Sequence, residues 1–200
     1  MLARDNPFST DRVLAVRYRP QGWEWPALLE RLAAMQFRAA IVGPRGSGKT
    51  TLLEDLCARL ESRGRRCRMI RLSTDSRRVD AASTLRPHDI LILDGAEQLS
   101  ALHWALLRWQ TRGPGGLIIT THAPGQLPTL LETRTTPQLL AGIVADLIPA
   151  PPDPREIETL YHAHRGNLRD ALRALYDRFG GESQTSTGLA RPRCSALESS

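Results

Sequence analysis

The sequence predicts an α/β domain: a parallel five-stranded sheet sandwiched by helices, with a small C-terminal helical lid. Two observations carry this. Short apolar runs alternate along the chain with segments whose leucines recur at helical spacing, the order that builds a parallel sheet covered on both faces. Between the first such run and the first long helix stands a glycine-rich turn of the composition that lets backbone N–H groups converge on phosphate oxygens.

Residues 1 to 24, punctuated by Pro7 and Pro20, are expected to form an irregular N-terminal arm. Pro26 suits the first turn of a helix that buries Leu28, Leu29, Leu32 and Met35. Residues 39 to 42 are apolar without interruption and end in glycine, as a strand buried on both faces does. From Lys49 a helix places Leu52, Leu53, Leu56 and Leu60 on one side, with Gly64 to end it. Residues 68 to 72, 89 to 94 and 117 to 121 read as the second, third and fourth strands. Between the last two, Ser100 caps a helix through Trp109, closed by Gly113-Pro114-Gly115-Gly116.

Residues 129 to 133 and 143 to 148 compete for the fifth strand. The first is preferred, because Thr136-Pro137 starts a helix in which Leu139, Leu140, Ile143, Val144 and Leu147 keep helical period. Its difficulty is the connection from His122 to Pro128, which is short for a parallel crossover. The core is thus expected over residues 25 to 149. A proline-rich break precedes two helices, roughly 154 to 163 and 168 to 179, which make a lid over 150 to 180. Residues 181 to 200, rich in Ser and Thr and without aromatics, are expected to be a disordered tail.

The segment Gly43-Pro44-Arg45-Gly46-Ser47-Gly48-Lys49-Thr50 carries the chemistry. Its glycines let successive N–H groups turn inward, and the helix that follows adds its positive end. Lys49 is placed to reach β and γ phosphates, Thr50 to ligate Mg²⁺ through its hydroxyl, and Thr51 to lie near the α phosphate. Lys49 is the one lysine of the chain, so 26 of the 27 basic residues are arginine; a point-charge amine stands where arginine otherwise takes its place. The ligand expected here is ATP with Mg²⁺, and the fold class becomes that of a P-loop NTPase.

The third strand ends in Asp94 after four apolar residues, the arrangement that faces a carboxylate toward Mg²⁺. Gly95 follows, where many such ATPases carry the water-activating glutamate. Glu97 is the nearest candidate general base, provided the Gly95 turn swings it inward; the alternative is a solvent-facing residue ahead of a helix. At the end of the fourth strand, Thr120-Thr121-His122 offers a polar group to test for the γ phosphate. Thr121 is chosen, with His122 as a buried or exposed bystander.

The two phosphate-site segments, the polar end of the fourth strand and Gly166-Asn167-Leu168-Arg169-Asp170-Ala171-Leu172 together resemble the AAA+ ATPases, over about residues 18 to 179. Tyr18-Arg19-Pro20 is similar to the stretch ahead of the first helix in clamp-loader-type members. The resemblance implies a lid arginine, Arg169, that reaches back to the γ phosphate and couples nucleotide state to lid position. The other reading is that Asn167 caps an amphipathic helix and Arg169 lies on its wet side. It also implies an arginine finger offered to a neighbouring subunit, for which Arg108, Arg112 and Arg134 are candidates.

Composition bounds the remaining classes. A net charge of +6 and a pI near 10 invite a nucleic-acid reading, yet an arginine excess this uniform points as much to genome composition as to a binding face. The densest basic stretch, residues 63 to 68, fits a solvated turn before a strand. Cys57, Cys67 and Cys194 show no disulfide framework or metal-ligand spacing, and His162 and His164 have no thiol or carboxylate cluster beside them, so no metal beyond Mg²⁺ is expected. No apolar run approaches the roughly 20 residues of a membrane span, and the expected location is the cytoplasm. The leading expectation is an ATPase or ATP-dependent switch that acts on a macromolecular partner, a protein or further copies of itself, with DNA as a further possibility. The alternatives are a P-loop kinase of small molecules and a non-hydrolysing ATP-binding scaffold on DNA or protein.

Overall fold

The computed structural model describes residues 6–16, 22–72, 85–86, 88–112, 115–150 and 152–185. Seven helices and five strands follow one another as α1 (Thr10–Ala15), α2 (Trp25–Ala34), β1 (Arg38–Val42), α3 (Lys49–Glu61), β2 (Cys67–Arg71), β3 (Ile90–Asp94), α4 (Ala101–Gln110), β4 (Gly116–Thr121), β5 (Thr129–Glu132), α5 (Pro137–Leu147), α6 (Pro154–Ala163) and α7 (Leu168–Thr185), with a 3-10 turn at Ala96–Gln98 between β3 and α4. The strands form one sheet in the order β2-β3-β4-β1-β5, and every pairing is parallel. Apart from α1 and the end of α7, strand and helix bounds agree with the sequence reading to within a few residues.

Strand alternation divides the core into two layers. Ala39, Ile41, Ile90, Ile92 and Ile118 face α2 and α3, where Leu28, Leu32, Leu52, Leu53 and Leu56 are wholly buried. Ala40, Val42, Leu91, Leu93, Leu117 and Ile119 face the other way, against Ala96, Leu99 and Leu107. Both faces of β1, β3 and β4 are therefore covered, which explains why these strands read as unbroken apolar runs.

The fifth strand is the segment at 129–132, and the short connection proves sufficient. β5 begins level with Ala40 in the middle of β1, so the seven residues from His122 to Pro128 descend only part of the sheet. They cross two strand spacings, about 10 Å, while an extended chain of that length reaches about 23 Å. Ala40 N–H closes the join by donating to the Pro128 carbonyl at 2.9 Å.

Two sequence expectations need revision at the chain's edges. The arm is not wholly irregular: α1 forms within it, and Phe8 is buried against the lid, its ring 5.1 Å from that of Phe179. Asn6 fixes this contact by donating from Nδ2 to the Tyr176 carbonyl at 2.8 Å. Residues 18 to 20 lie outside the described residues. The last helix continues past residue 179 to Thr185, and residues 186–200 also lie outside the described residues. The lid core joins Phe8 to Leu140 and Val144 of α5, Ile157 of α6, and Leu168, Leu172 and Leu175 of α7. Among the described residues no helix is long and apolar enough to cross a membrane.

The two-layer core makes a direct test of packing. Leu56→Ala, at a fully buried position, should lower unfolding free energy by about 2–5 kcal/mol in urea titration, with m unchanged. Leu102→Ala on the exposed side of α4 should stay within about 0.5 kcal/mol.

Candidate nucleotide-binding site

The sheet order sets the site. β4 lies between β1 and β3, so the loop leaving β1 and the carboxylate ending β3 are two strands apart, with the end of β4 between them. α3 starts immediately at Lys49, and its N-terminal end faces the turn formed by residues 43 to 48.

Lys49 is buried, and its ammonium donates to the carbonyls of Gly43 at 2.7 Å and Pro44 at 2.8 Å. Burial lowers its pKa from the ordinary lysine value. Glu97 and then Asp94 oppose that shift, while the guanidiniums of Arg169 and Arg45 add to it. Four charged groups from four parts of the chain thus act on Lys49. Ser47 braces the turn from below: its hydroxyl donates to the Pro44 carbonyl at 2.8 Å and pairs with Thr133 Oγ1 at 2.6 Å.

Asp94 accepts two hydroxyl hydrogen bonds, one on each oxygen: Thr50 Oγ1 donates to Oδ2 and Thr120 Oγ1 to Oδ1, both at 2.7 Å. Thr120 Oγ1 in turn accepts from the Gly95 N–H at 2.7 Å. The first residue of α3, the end of β3 and the end of β4 are joined through a single carboxylate. Hydroxyl and carboxylate oxygens drawn together in this way are the hard donors Mg²⁺ takes.

Thr121, the residue chosen from the sequence for this place, belongs elsewhere. Its hydroxyl donates to the Ala123 carbonyl at 3.1 Å, and it does not line the cleft. The reason is strand parity. Ile118 faces α3 and Ile119 faces away, so Thr120 shares the α3 face with Asp94 while Thr121 falls on the opposite one.

Gly95 resolves the placement of Glu97. With φ at +90° it adopts a left-handed conformation that starts the 3-10 turn, and that turn carries the Glu97 side chain back toward the cleft. Glu97 Oε1 lies 3.4 Å from His122 Nε2. Its other oxygen, Oε2, is buried with no hydrogen-bond partner among the described residues. A buried acceptor left so costs about 1–3 kcal/mol unless a donor such as water meets it. Glu97 is therefore inside the site, and His122 is its neighbour rather than a bystander.

The lid closes directly on the loop. Asn167 caps α7, accepting from the Asp170 N–H at 3.3 Å, and its Oδ1 would lie 1.8 Å from a Cβ at Gly46. Only glycine at position 46 permits this approach. Capping by Asn167 and an inward Arg169 turn out to be compatible, since Arg169 lines the same cleft and its charge is felt at Lys49.

The cleft encloses about 900 Å³. It is lined by residues 45 to 51 with Asp94, Glu97, Thr120 and His122, and by an apolar wall of Val13 and Val16 of the arm, Ile143 of α5 and Leu172 of α7, beside Asp146, Arg173 and Asp177. Arg108, Arg112 and Arg134 are exposed and outside this cleft; Arg134 lies 3.5 Å from Glu132. Thr120 and Thr133 are site residues that sequence reasoning passed over, and Asn167, read there as a helix cap, also closes on the loop at Gly46. The parity of Ile118 and Ile119 held the signal for Thr120. Thr133 acts through contacts distant in sequence and left no local one.

An all-parallel sheet in this order, a glycine-rich phosphate loop between β1 and α3, a carboxylate at the end of β3 and a helical lid define the fold of a small AAA+-like P-loop domain. Comparison with solved structures finds the same fold in two structures of RuvB variants from Thermotoga maritima; RuvB is an AAA+ P-loop ATPase. Their TM-scores are 0.56 and 0.55 at 18% and 16% identity, over 82% and 86% of this chain. The chain spans 64% and 68% of those two RuvB chains, about two thirds of their length. No protein-family model matches the sequence, and no curated protein does.

Thr120→Val should remove a hydrogen bond to a carboxylate and leave the Gly95 N–H without its acceptor. Calorimetric titration with ATP and Mg²⁺ should show affinity reduced roughly ten- to hundredfold, the equivalent of about 1.5–3 kcal/mol. Thr121→Val should stay within about twofold. Equal losses in the two variants would refute the assignment of Thr120.

Proposed function

We propose that the protein binds ATP with Mg²⁺ in this cleft and hydrolyses it slowly or on a partner's signal, acting as an AAA+-type ATPase or switch. One observation carries the reading. Lys49, Thr50, Asp94, Thr120, Glu97 and Arg169, drawn from the start of α3, two strand ends, the 3-10 turn and the lid, converge on one cleft.

The roles follow from chemistry. Backbone N–H groups of residues 45 to 51 and the start of α3 cradle the phosphates, and the Lys49 ammonium supplies a point charge to the β and γ oxygens. Thr50 and Asp94 would hold Mg²⁺, which would supply neutralisation of phosphate charge when bound. Thr120 keeps Asp94 oriented. Glu97 accepts a proton from the attacking water, its carboxylate being the one beside the Lys49–Asp94 pair in the cleft lining. Arg169 reads the γ phosphate, and because α7 also carries Asn167 and Leu172, its response moves the lid as a unit. The apolar wall receives the base.

A second reading, a nucleotide-dependent switch that does not turn over alone, rests on the Glu97–His122 contact. An imidazole beside the general base competes with water for the same carboxylate. The partner in either reading is a macromolecule: another protein, further copies of this chain, or DNA. Its docking face is not assigned to Arg108, Arg112 or Arg134 individually, since all three are exposed.

Phosphate release by the purified protein, alone and with DNA, tests the proposal. Lys49→Ala should abolish both turnover and the rise in Tm produced by ATP and Mg²⁺. Glu97→Gln should retain the Tm rise and lower turnover by about a hundred- to ten-thousandfold. Wild-type binding without Lys49-dependent turnover under every condition would leave the switch and exclude the ATPase.

A further inference from the structure

On the side of α3 remote from the phosphate loop, the fold assembles a group the sequence spacing does not suggest. Cys57 and Glu61 are one helical turn apart on α3, and Cys67 opens β2 after the turn at residues 62 to 66. Their two sulfurs and a carboxylate oxygen all lie within 4.8 Å of one another. Both thiols are half-buried and neither is in a disulfide. The Cys67 thiol points back at α3, 4.0 Å from the Cys57 carbonyl.

We infer that Cys57, Glu61 and Cys67 form a binding site for a thiophilic divalent cation of the Zn²⁺ class. Two thiolates and a carboxylate are a donor set that Zn²⁺ takes in tetrahedral coordination, with water in the fourth position because Glu61 is exposed. The chelate closes over a short stretch: Cys57 and Glu61 at i and i+4 share a helix face, and only the turn separates them from Cys67. Binding releases the two thiol protons to solvent and forms two metal–sulfur bonds, with no change of oxidation state.

The electrostatics agree with this. Burial raises both thiol pKa values, and at Cys67 the neighbouring Cys57 and Glu61 raise it further. A divalent cation bound between them would offset the cost that burial puts on the charged thiols.

The site has a mechanical reading as well. α3 carries the phosphate loop at its first turn, and β2 is the strand paired with β3, which carries Asp94. An ion pair between Arg71 and Glu54 already ties β2 to α3 nearer the loop. A cation on Cys57, Glu61 and Cys67 adds a second tie at the far end of the helix. The inference does not depend on ATP hydrolysis.

Co²⁺ titration of the full chain with its thiols kept reduced tests it. The expected result is sulfur-to-cobalt charge-transfer and tetrahedral ligand-field bands that saturate at one equivalent and are bleached by Zn²⁺. Cys57→Ser and Cys67→Ser should each abolish the bands, Glu61→Gln should weaken binding by about 10- to 100-fold, and Cys194→Ser should leave it unchanged. Lys49→Ala should also bind Co²⁺ normally, which separates this site from the nucleotide cleft. Tm of each variant without metal reports folding, and Glu61→Gln, at an exposed position, keeps the test open should a cysteine variant unfold. Absence of the bands, or their survival in both cysteine variants, would overturn the inference.

Discussion

The Asp94 carboxylate is the joint on which the site depends. It accepts Thr50 on one oxygen and Thr120 on the other, and so holds the beginning of α3, the end of β3 and the end of β4 at fixed separations. Hydrogen bonds to a carboxylate are worth more than neutral ones, and these two sit at the ends of β3 and β4, strands buried on both faces. The loop and the turn that carries Glu97 are positioned from that joint. Gly95 hangs from it through its N–H to Thr120, Glu97 follows Gly95 by a single turn, and Lys49 precedes Thr50.

Much of this was legible in the chain. Apolar runs at 39–42, 89–94 and 117–121 are strands because a strand covered on both faces needs no polar alternation, and helical leucine spacing marks α2, α3 and α5. The phosphate loop was readable because each of its residues has a backbone or charge requirement that few substitutes meet. Even the competition for β5 was decidable, since Thr136-Pro137 caps and starts a helix: Thr136 Oγ1 accepts from the Leu139 N–H at 3.1 Å.

What escaped was information held in parity and in long-range contact. Thr120 and Thr121 are the same residue type, and only the face assigned to their neighbours separates them. α1 was hidden because its six residues bury none of their own side chains deeply; the arm is held by Phe8 and Asn6 docking on a helix some 170 residues away. Cys57 and Cys67 looked unrelated because ten residues, a helix end and a turn stand between them. Thr133, beneath the loop, lies 86 residues from the Ser47 it supports.

The docking of the arm on α7 has a consequence for how the molecule transmits force. Val13 and Val16 line the cleft while Phe8 and Asn6, a few residues earlier, are fastened to the last helix. Tension applied ahead of residue 6 reaches α7 and the apolar wall before it reaches the sheet. In the proposed nucleotide complex such a pull would bear on the apolar wall while Lys49, Thr50 and Asp94 stayed in place, and the arm would be a handle on one side of the cleft only.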